Sequence, residues 1–173
     1  MKKKKTGKSA MDSALDSALD YLTSRPRTVR EMENYLDGQN YGEYEVYAAV
    51  ERLKELKYLD DAKYAEDFVS TRLATKPLSR RKLKEQLRTH YLSADDIDAA
   101  MEQVTDDVER RNAMAVAEKF YRQFEGLEEY DRRQRIVRRL AGRGYDFGVI
   151  RDSVEELIGA IDCPIESDGE DEE

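Results

Sequence analysis

The chain has no tryptophan, one cysteine, one histidine and four phenylalanines in 173 residues, and each shortage closes off a class of protein. A single thiol, Cys163, cannot form an intrachain disulfide, and it stands in a charged segment with no base to activate it. One imidazole, His90, with no cysteine near it in sequence, leaves no set of ligands for zinc. The nine glycines are scattered and build no phosphate-cradling loop. No apolar run is long enough for a membrane, and Lys2 to Lys5 is followed by Asp12, Asp16 and Asp20 rather than by the hydrophobic stretch of a leader. The expectation is a soluble, cytoplasmic protein. Carboxylates abound, yet Asp60-Asp61, Asp95-Asp96 and Asp106-Asp107 stand where helices should begin, and capping explains them better than acid–base catalysis. No enzyme activity, metal or cofactor is expected. His90 closes a basic helix and reads as its C-terminal cation.

What the chain does have is charge. Charged and hydrophobic residues each make up 39% of it, and the mean hydropathy is −0.86, which leaves material for a thin core only. Eleven tyrosines carry most of the aromatic surface; rings with a polar tip suit a shallow core, and Tyr21, Tyr41, Tyr47, Tyr58, Tyr64 and Tyr91 mostly fall on or beside apolar stripes, so most are expected in the core. The net charge of −8 is not spread evenly: residues 162–173 hold seven of the 38 carboxylates and no basic side chain, so residues 1–161 carry 30 basic against 31 acidic groups. Two stretches are strongly positive. Arg132 to Arg143 holds six arginines and no acid, and Arg72 to Arg88 holds seven basic residues against Glu85.

The hydrophobic pattern is helical throughout. Met11, Ala14, Leu15, Ala18, Leu19 and Leu22 form one amphipathic stripe that Pro26 ends. Thr28-Val-Arg-Glu31 is a capping box opening a short helix through Met32 and Leu36, stopped by Asp37-Gly38. A third helix over about 43–56 turns Val46, Val50, Leu53 and Leu56 inward. The same arrangement then recurs. Relative to Leu36, apolar residues stand at −4, +5, +10, +14 and +17 (Met32, Tyr41, Val46, Val50, Leu53); the same offsets from Leu87 give Leu83, Leu92, Ile97, Met101 and Val104, and from Leu140 give Ile136, Tyr145, Ile150, Val154 and Leu157. Cap signals agree, with Ser79 and Ser93 in the second unit, Asp131-x-x-Gln134 and Asp146 in the third, and Gly159 after the last periodic residue. The spacing predicts an all-α protein, an elongated, curved array of three tandem three-helix repeats over 9–59, 60–106 and 107–161, between a basic arm (1–8) and an acidic tail (162–173), both disordered.

Three segments carry a family likeness: the junction Tyr58-Leu59-Asp60-Asp61-Ala62-Lys63-Tyr64-Ala65, the run Ser79-Arg-Arg-Lys-Leu-Lys-Glu-Gln-Leu87, and Arg135-Ile-Val-Arg-Arg-Leu-Ala-Gly-Arg-Gly-Tyr145. In this order and spacing the chain resembles the RecX family, regulators of the RecA recombinase, over roughly 18–157. The family usually has glycine before the junction tyrosine, where this chain has Lys57. The resemblance implies a helical modulator that lies in the groove of the RecA filament on DNA and lowers its activities.

The residues themselves nominate two faces for a partner or for DNA. Arg135, Arg138 and Arg139 lie away from Ile136 and Leu140, with Arg143 following them, and Arg80, Lys84 and Arg88 flank Leu83 and Leu87 with Arg81 beside them. A merely solvated face is the alternative; the lack of interleaved acids in the third repeat argues against it. The expected partner is the RecA recombinase filament, with single- or double-stranded DNA through the basic patches, and the expected state a monomer. Two other functions remain open: DNA binding by helix-turn-helix-like units, and a helical-repeat scaffold for another partner.

Overall fold

A computed structural model describes residues 10–159; the basic arm and the acidic tail lie outside the described residues. Among the described residues there are nine helices and no strand. The first repeat consists of α1 (Ala10–Leu22), α2 (Val29–Gly38) and α3 (Glu43–Glu55), the second of α4 (Asp61–Thr75), α5 (Arg80–Thr89) and α6 (Ala94–Met101), the third of α7 (Asp106–Gln123), α8 (Glu129–Ala141) and α9 (Phe147–Ile158). No helix among them is long and apolar enough to cross a membrane.

Each repeat closes its own small core. The helix pairs in extensive contact, such as α1 with α3, α4 with α6 and α7 with α9, all lie within one repeat, and the buried side chains form three separate clusters. The anchors Leu36, Leu87 and Leu140 have no exposed surface, nor do Met32, Leu83 and Ile136 one turn before them. Ala18, Ala65 and Ala117 are equally buried on the first helices, where a small residue lets the third helix approach closely. The offsets read from the sequence therefore mark one packing position in each repeat, with Tyr41 and Leu157 only half-buried.

Helix starts follow the cap signals. Thr28 accepts from the Glu31 N–H while the Glu31 carboxylate takes the Thr28 N–H, a complete capping box. Asp60, Ser79, Ser93, Thr105 and Asp146 cap α4, α5, α6, α7 and α9, each holding the N–H three residues on. Such a cap contributes about 1 kcal/mol.

Several expectations are corrected. Asp131 caps nothing, because α8 begins two residues earlier, after Glu128. Gly38 is the last residue of α2 rather than its stop; the chain turns at Asn40, with φ +63°. Leu56 is exposed, Ala49 filling the inward position one turn of α3 before Leu53, and Met11 is exposed on the first turn of α1. Tyr47, Tyr58 and Tyr91 are exposed as well, and Tyr21, Tyr41 and Tyr64 are half-buried; Tyr145 is the tyrosine that enters a core. A phenol so close to an amphipathic boundary keeps its hydroxyl in water or spends it on a local bond, as Tyr41 does with Ser17 at 2.7 Å.

The repeats meet at two seams of the same design. At the first, the Thr28 hydroxyl donates to the His90 carbonyl (2.8 Å) and the Val29 N–H to the Asp61 carboxylate (2.8 Å). At the second, 51 residues on, the Ser79 N–H donates to the Arg143 carbonyl (3.1 Å) and the Arg80 N–H to the Glu109 carboxylate (2.9 Å). The Val29 N–H at the first seam and the Ser79 and Arg80 N–H groups at the second are satisfied by the next repeat, and in both a carboxylate from the first turn of that repeat's leading helix sits at the positive end of the dipole. His90 thus does more than end α5: its Nδ1 lies 2.9 Å from a Glu31 carboxylate oxygen and 3.2 Å from the Tyr64 hydroxyl, tying α2, α4 and α5 together.

Candidate functional site

The structure separates the eight cations named from the sequence. On α8, Arg135, Arg138 and Arg139 are exposed, and none reaches a carboxylate within ion-pair distance among the described residues. They are not loose, however. The Arg135 guanidinium lies 5.9 Å from the Phe124 ring centre and that of Arg139 5.3 Å from Phe120, so Phe120 on α7 and Phe124 just past its end hold two of the three by cation–π attraction. Arg143 also lies over Phe120, at 5.0 Å, but is half-buried, and burial lowers its tendency to hold a proton.

The six-arginine stretch is therefore not one patch. Arg133 is buried, with Nη1 meeting no hydrogen-bond partner among the described residues, and Arg132 folds back on Tyr121, its guanidinium 3.5 Å from the ring centre and its Nε donating to the Tyr121 carbonyl. Helical period explains the division: Arg133 shares the inward face with Ile136 and Leu140, three and seven residues on. The sequence did not reveal it because arginine normally signals an exposed face.

In the second repeat Arg80 and Lys84 are paired at home, Arg80 with Asp106 and Lys84 with Asp98 at 2.7 Å. Lys84 holds the Asp98 carboxyl below the usual carboxylate range. Arg81 is exposed, with Nη2 3.5 Å from the Gly144 carbonyl across the second seam, and Arg88 is exposed without a carboxylate at ion-pair distance among the described residues. Of the eight, Arg81, Arg88, Arg135, Arg138 and Arg139 present charge outward.

A third positive surface was not anticipated. A cleft of about 420 Å³ opens at the first seam, between the loop after α1 and the exposed side of α4. Arg25, Arg27, Lys57 and Arg72 line it together with Tyr58, Tyr64 and Phe68. These cations are spread over nearly 50 residues of sequence, and of the four Arg72 alone lies in a basic stretch, so the fold is what assembles them. Among the described residues no group of histidine, cysteine or acidic side chains is placed to hold a metal ion.

These features define a class, an all-α protein of tandem three-helix repeats carrying unpaired cations on its outer faces. Three family models match the chain in order: the first RecX three-helix domain over residues 14–53, the second over 60–101 and the third over 107–154. The chain belongs to the RecX family. It is 28% identical over 155 residues to the regulatory protein RecX of Bacillus pumilus, covering 90% of this chain and 56% of that protein, and 29% identical over 150 residues to that of Streptomyces lividans, covering 84% and 80%. Its length thus spans little more than half of the Bacillus relative. Among solved structures, RecX from Lactobacillus salivarius superposes with a TM-score of 0.71 at 22% identity over 86% of this chain and 96% of that one, a likeness of fold. A second RecX crystal structure gives 0.66 at 27% identity, over 83% and 72%.

Proposed function

We propose that the protein binds the RecA recombinase filament on DNA and lowers its ATP hydrolysis and strand exchange. What supports the reading is the unbroken run of three RecX domains, matched between residues 14 and 154, in a chain whose relatives are named regulatory proteins. The geometry suits such a partner. Three separate cores joined by narrow seams form a series of units, and weak contacts made by successive units to one filament add through effective concentration. The α8 cations Arg135, Arg138 and Arg139, the first and last held against Phe124 and Phe120, are assigned the electrostatic part of that contact.

The test is a titration of RecA filaments on single-stranded DNA, reading ATP hydrolysis, with the wild type beside a variant in which Arg135, Arg138 and Arg139 are all replaced by Glu. Wild type should depress hydrolysis, and the variant should fold normally yet do so only at much higher concentration, because none of the three side chains enters a core. Wild type that leaves hydrolysis and filament lifetime untouched at saturation, while binding a specific duplex tightly, would sink this reading in favour of direct DNA recognition.

A further inference from the structure

We propose that the cleft at the first seam is a site for a nucleotide of single-stranded nucleic acid, its base against the exposed Tyr58 ring and its phosphates on Arg25, Lys57 and Arg72. The cleft volume, about 420 Å³, lies in the range of pockets that enclose a small ligand. Its wall is aromatic, from Tyr58, Tyr64 and Phe68, and its rim is cationic. This is the pairing that single strands require, since a base offers a flat π-face and its backbone a row of charges.

The cations are available. Arg27 is held with its guanidinium 3.9 Å above the Tyr21 ring centre, and Tyr21 itself stacks on Tyr35 at 3.8 Å; the Arg27 side chain donates to the Ser24 hydroxyl, at 3.4 Å. Arg72 lies 5.0 Å from the Phe68 ring centre. Neither these two nor Arg25 and Lys57 meet a carboxylate at ion-pair distance among the described residues, whereas Lys63 on the same wall is occupied by Asp67 at 3.0 Å.

Lys57 adds an independent observation. It holds φ +60°, a left-handed backbone that favours glycine, and the chain nevertheless carries there a long cationic side chain that lines the cleft. An acidic peptide would answer the rim equally well but offers no flat π-face to the aromatic wall. Asp60 and Asp67, which line the cleft while capping α4 and pairing with Lys63, keep lone pairs that can accept from the amino group of a base such as cytosine. That contrast favours the nucleotide.

The site does not depend on the filament reading, and its test needs no recombinase. A labelled oligodeoxycytidylate carrying one iodouracil is titrated by anisotropy against wild type, Tyr58→Ala, Lys57→Gly and, as a control on the third repeat, Lys119→Ala; the complex is then photocrosslinked and the adduct mapped. Tyr58→Ala should weaken binding about tenfold, the contribution of one stacked base. Lys57→Gly suits the backbone at that position and keeps the fold, and it should reduce the slope of log affinity on log salt by about 0.7, one phosphate contact. Lys119→Ala should match wild type, and the adduct should fall on Tyr58, Tyr64 or Phe68. Equal affinity of the two cleft variants and wild type, no binding at all, or an adduct confined to the third repeat would overturn the site. So would an oligoglutamate peptide whose binding the cleft variants abolish while the oligonucleotide is unaffected, which would give the cleft to an acidic protein segment. A negative result here leaves the hydrolysis titration standing, and a failed titration leaves this site standing.

Discussion

Gly144→Ala tests whether the seams hold the repeats together. Gly144 lies in the turn between α8 and α9 with φ +84°, and a Cβ placed on it would stand 2.7 Å from Ser79 Oγ, 3.0 Å from Lys82 Cβ and 3.6 Å from Arg81 Nη2. Two costs can be separated. The left-handed backbone costs alanine about 1 kcal/mol, and the chain tolerates it elsewhere, since Asn40 and Tyr91 occupy the same position in the first two repeats at φ +63° and +61°. The second cost is the contact. No carbon sits 2.7 Å from a hydroxyl oxygen, so Ser79 must move, weakening both the cap it provides to the Lys82 N–H and its own N–H bond to the Arg143 carbonyl. A cap and a backbone bond are each worth about 1 kcal/mol, so the total expected loss is about 2 to 4 kcal/mol. Urea unfolding followed by circular dichroism reads that loss, and hydrogen exchange locates it: protection should fall at the starts of α5 and α9 and stay unchanged in α2 and α3. Because neighbouring repeats are coupled only through their interfaces, the transition should also broaden as the third repeat separates. In a Ser79→Gly background, where the cap changes by only a few tenths of a kcal/mol, Gly144→Ala should cost clearly less, the backbone share plus the remaining 3.0 Å approach to Lys82 Cβ. The same penalty in both backgrounds would refute the steric argument.

Three further outcomes are expected. Leu87→Ala or Leu140→Ala, each removing a side chain with no exposed surface, should cost about 2 to 5 kcal/mol in the same unfolding assay, and a loss below about 0.5 would mean the repeat register is misread. Burial holds the Asp61 carboxyl above its ordinary range, so the native state keeps that proton at pH values where the unfolded chain has lost it; acidification through this window adds stability, opposite in sign to a salt-bridged carboxylate. Asp61→Asn should abolish that pH slope in unfolding titrations and keep an acceptor for the Val29 N–H, while Asp61→Ala should cost about 1 to 3 kcal/mol by leaving that N–H unpaired. Small-angle scattering should give a radius of gyration above the roughly 16 Å of a compact chain of this length, and a value at or below it would contradict an extended array.

The cores were readable from sequence because burial imposes a period. Met32, Leu83 and Ile136 recur at one offset, and a stripe repeated three times fixes its own register. The seams were not readable, because the bonds that make them join residues such as Thr28 and His90, 62 apart, whose local signatures point elsewhere: a capping threonine and a terminal cation. The Asp60-Asp61 pair shows the limit within two residues. Asp60 caps its own helix as the pattern implied, but Asp61 reaches back to α2 of the preceding repeat. The candidate cations divided for a related reason. Composition reports charge but not its partners, so Lys84, held by Asp98 across 14 residues, looked as available as Arg88. Arg25 looked like an isolated residue and Arg72 like the edge of the second repeat's basic stretch, yet the fold brings both to one cleft.

That division also bears on how the molecule would meet a long anionic partner. Cations already paired with a carboxylate gain little from a phosphate, since the old pair must break first, so Arg80, Lys63 and Lys84 add little to such a contact. The largest unpaired groups stand at two places: the first seam, with Arg25, Arg27, Lys57 and Arg72, and the third repeat's α8, with Arg135, Arg138 and Arg139. The second repeat joins them: its α4 supplies Arg72 to the first place, its α5 exposes Arg81 and Arg88, and seams lie on either side. A partner engaging both sites at once is then held with an effective concentration set by how rigidly those seams join the repeats. Loosening the second seam should therefore weaken binding to a long filament far more than binding to a short oligonucleotide, which reaches one site only. Gly144→Ala supplies that comparison: its residue touches neither cluster, yet the change should lower filament affinity while leaving a short single strand bound as before. Equal losses on both ligands would mean that the two sites do not act together.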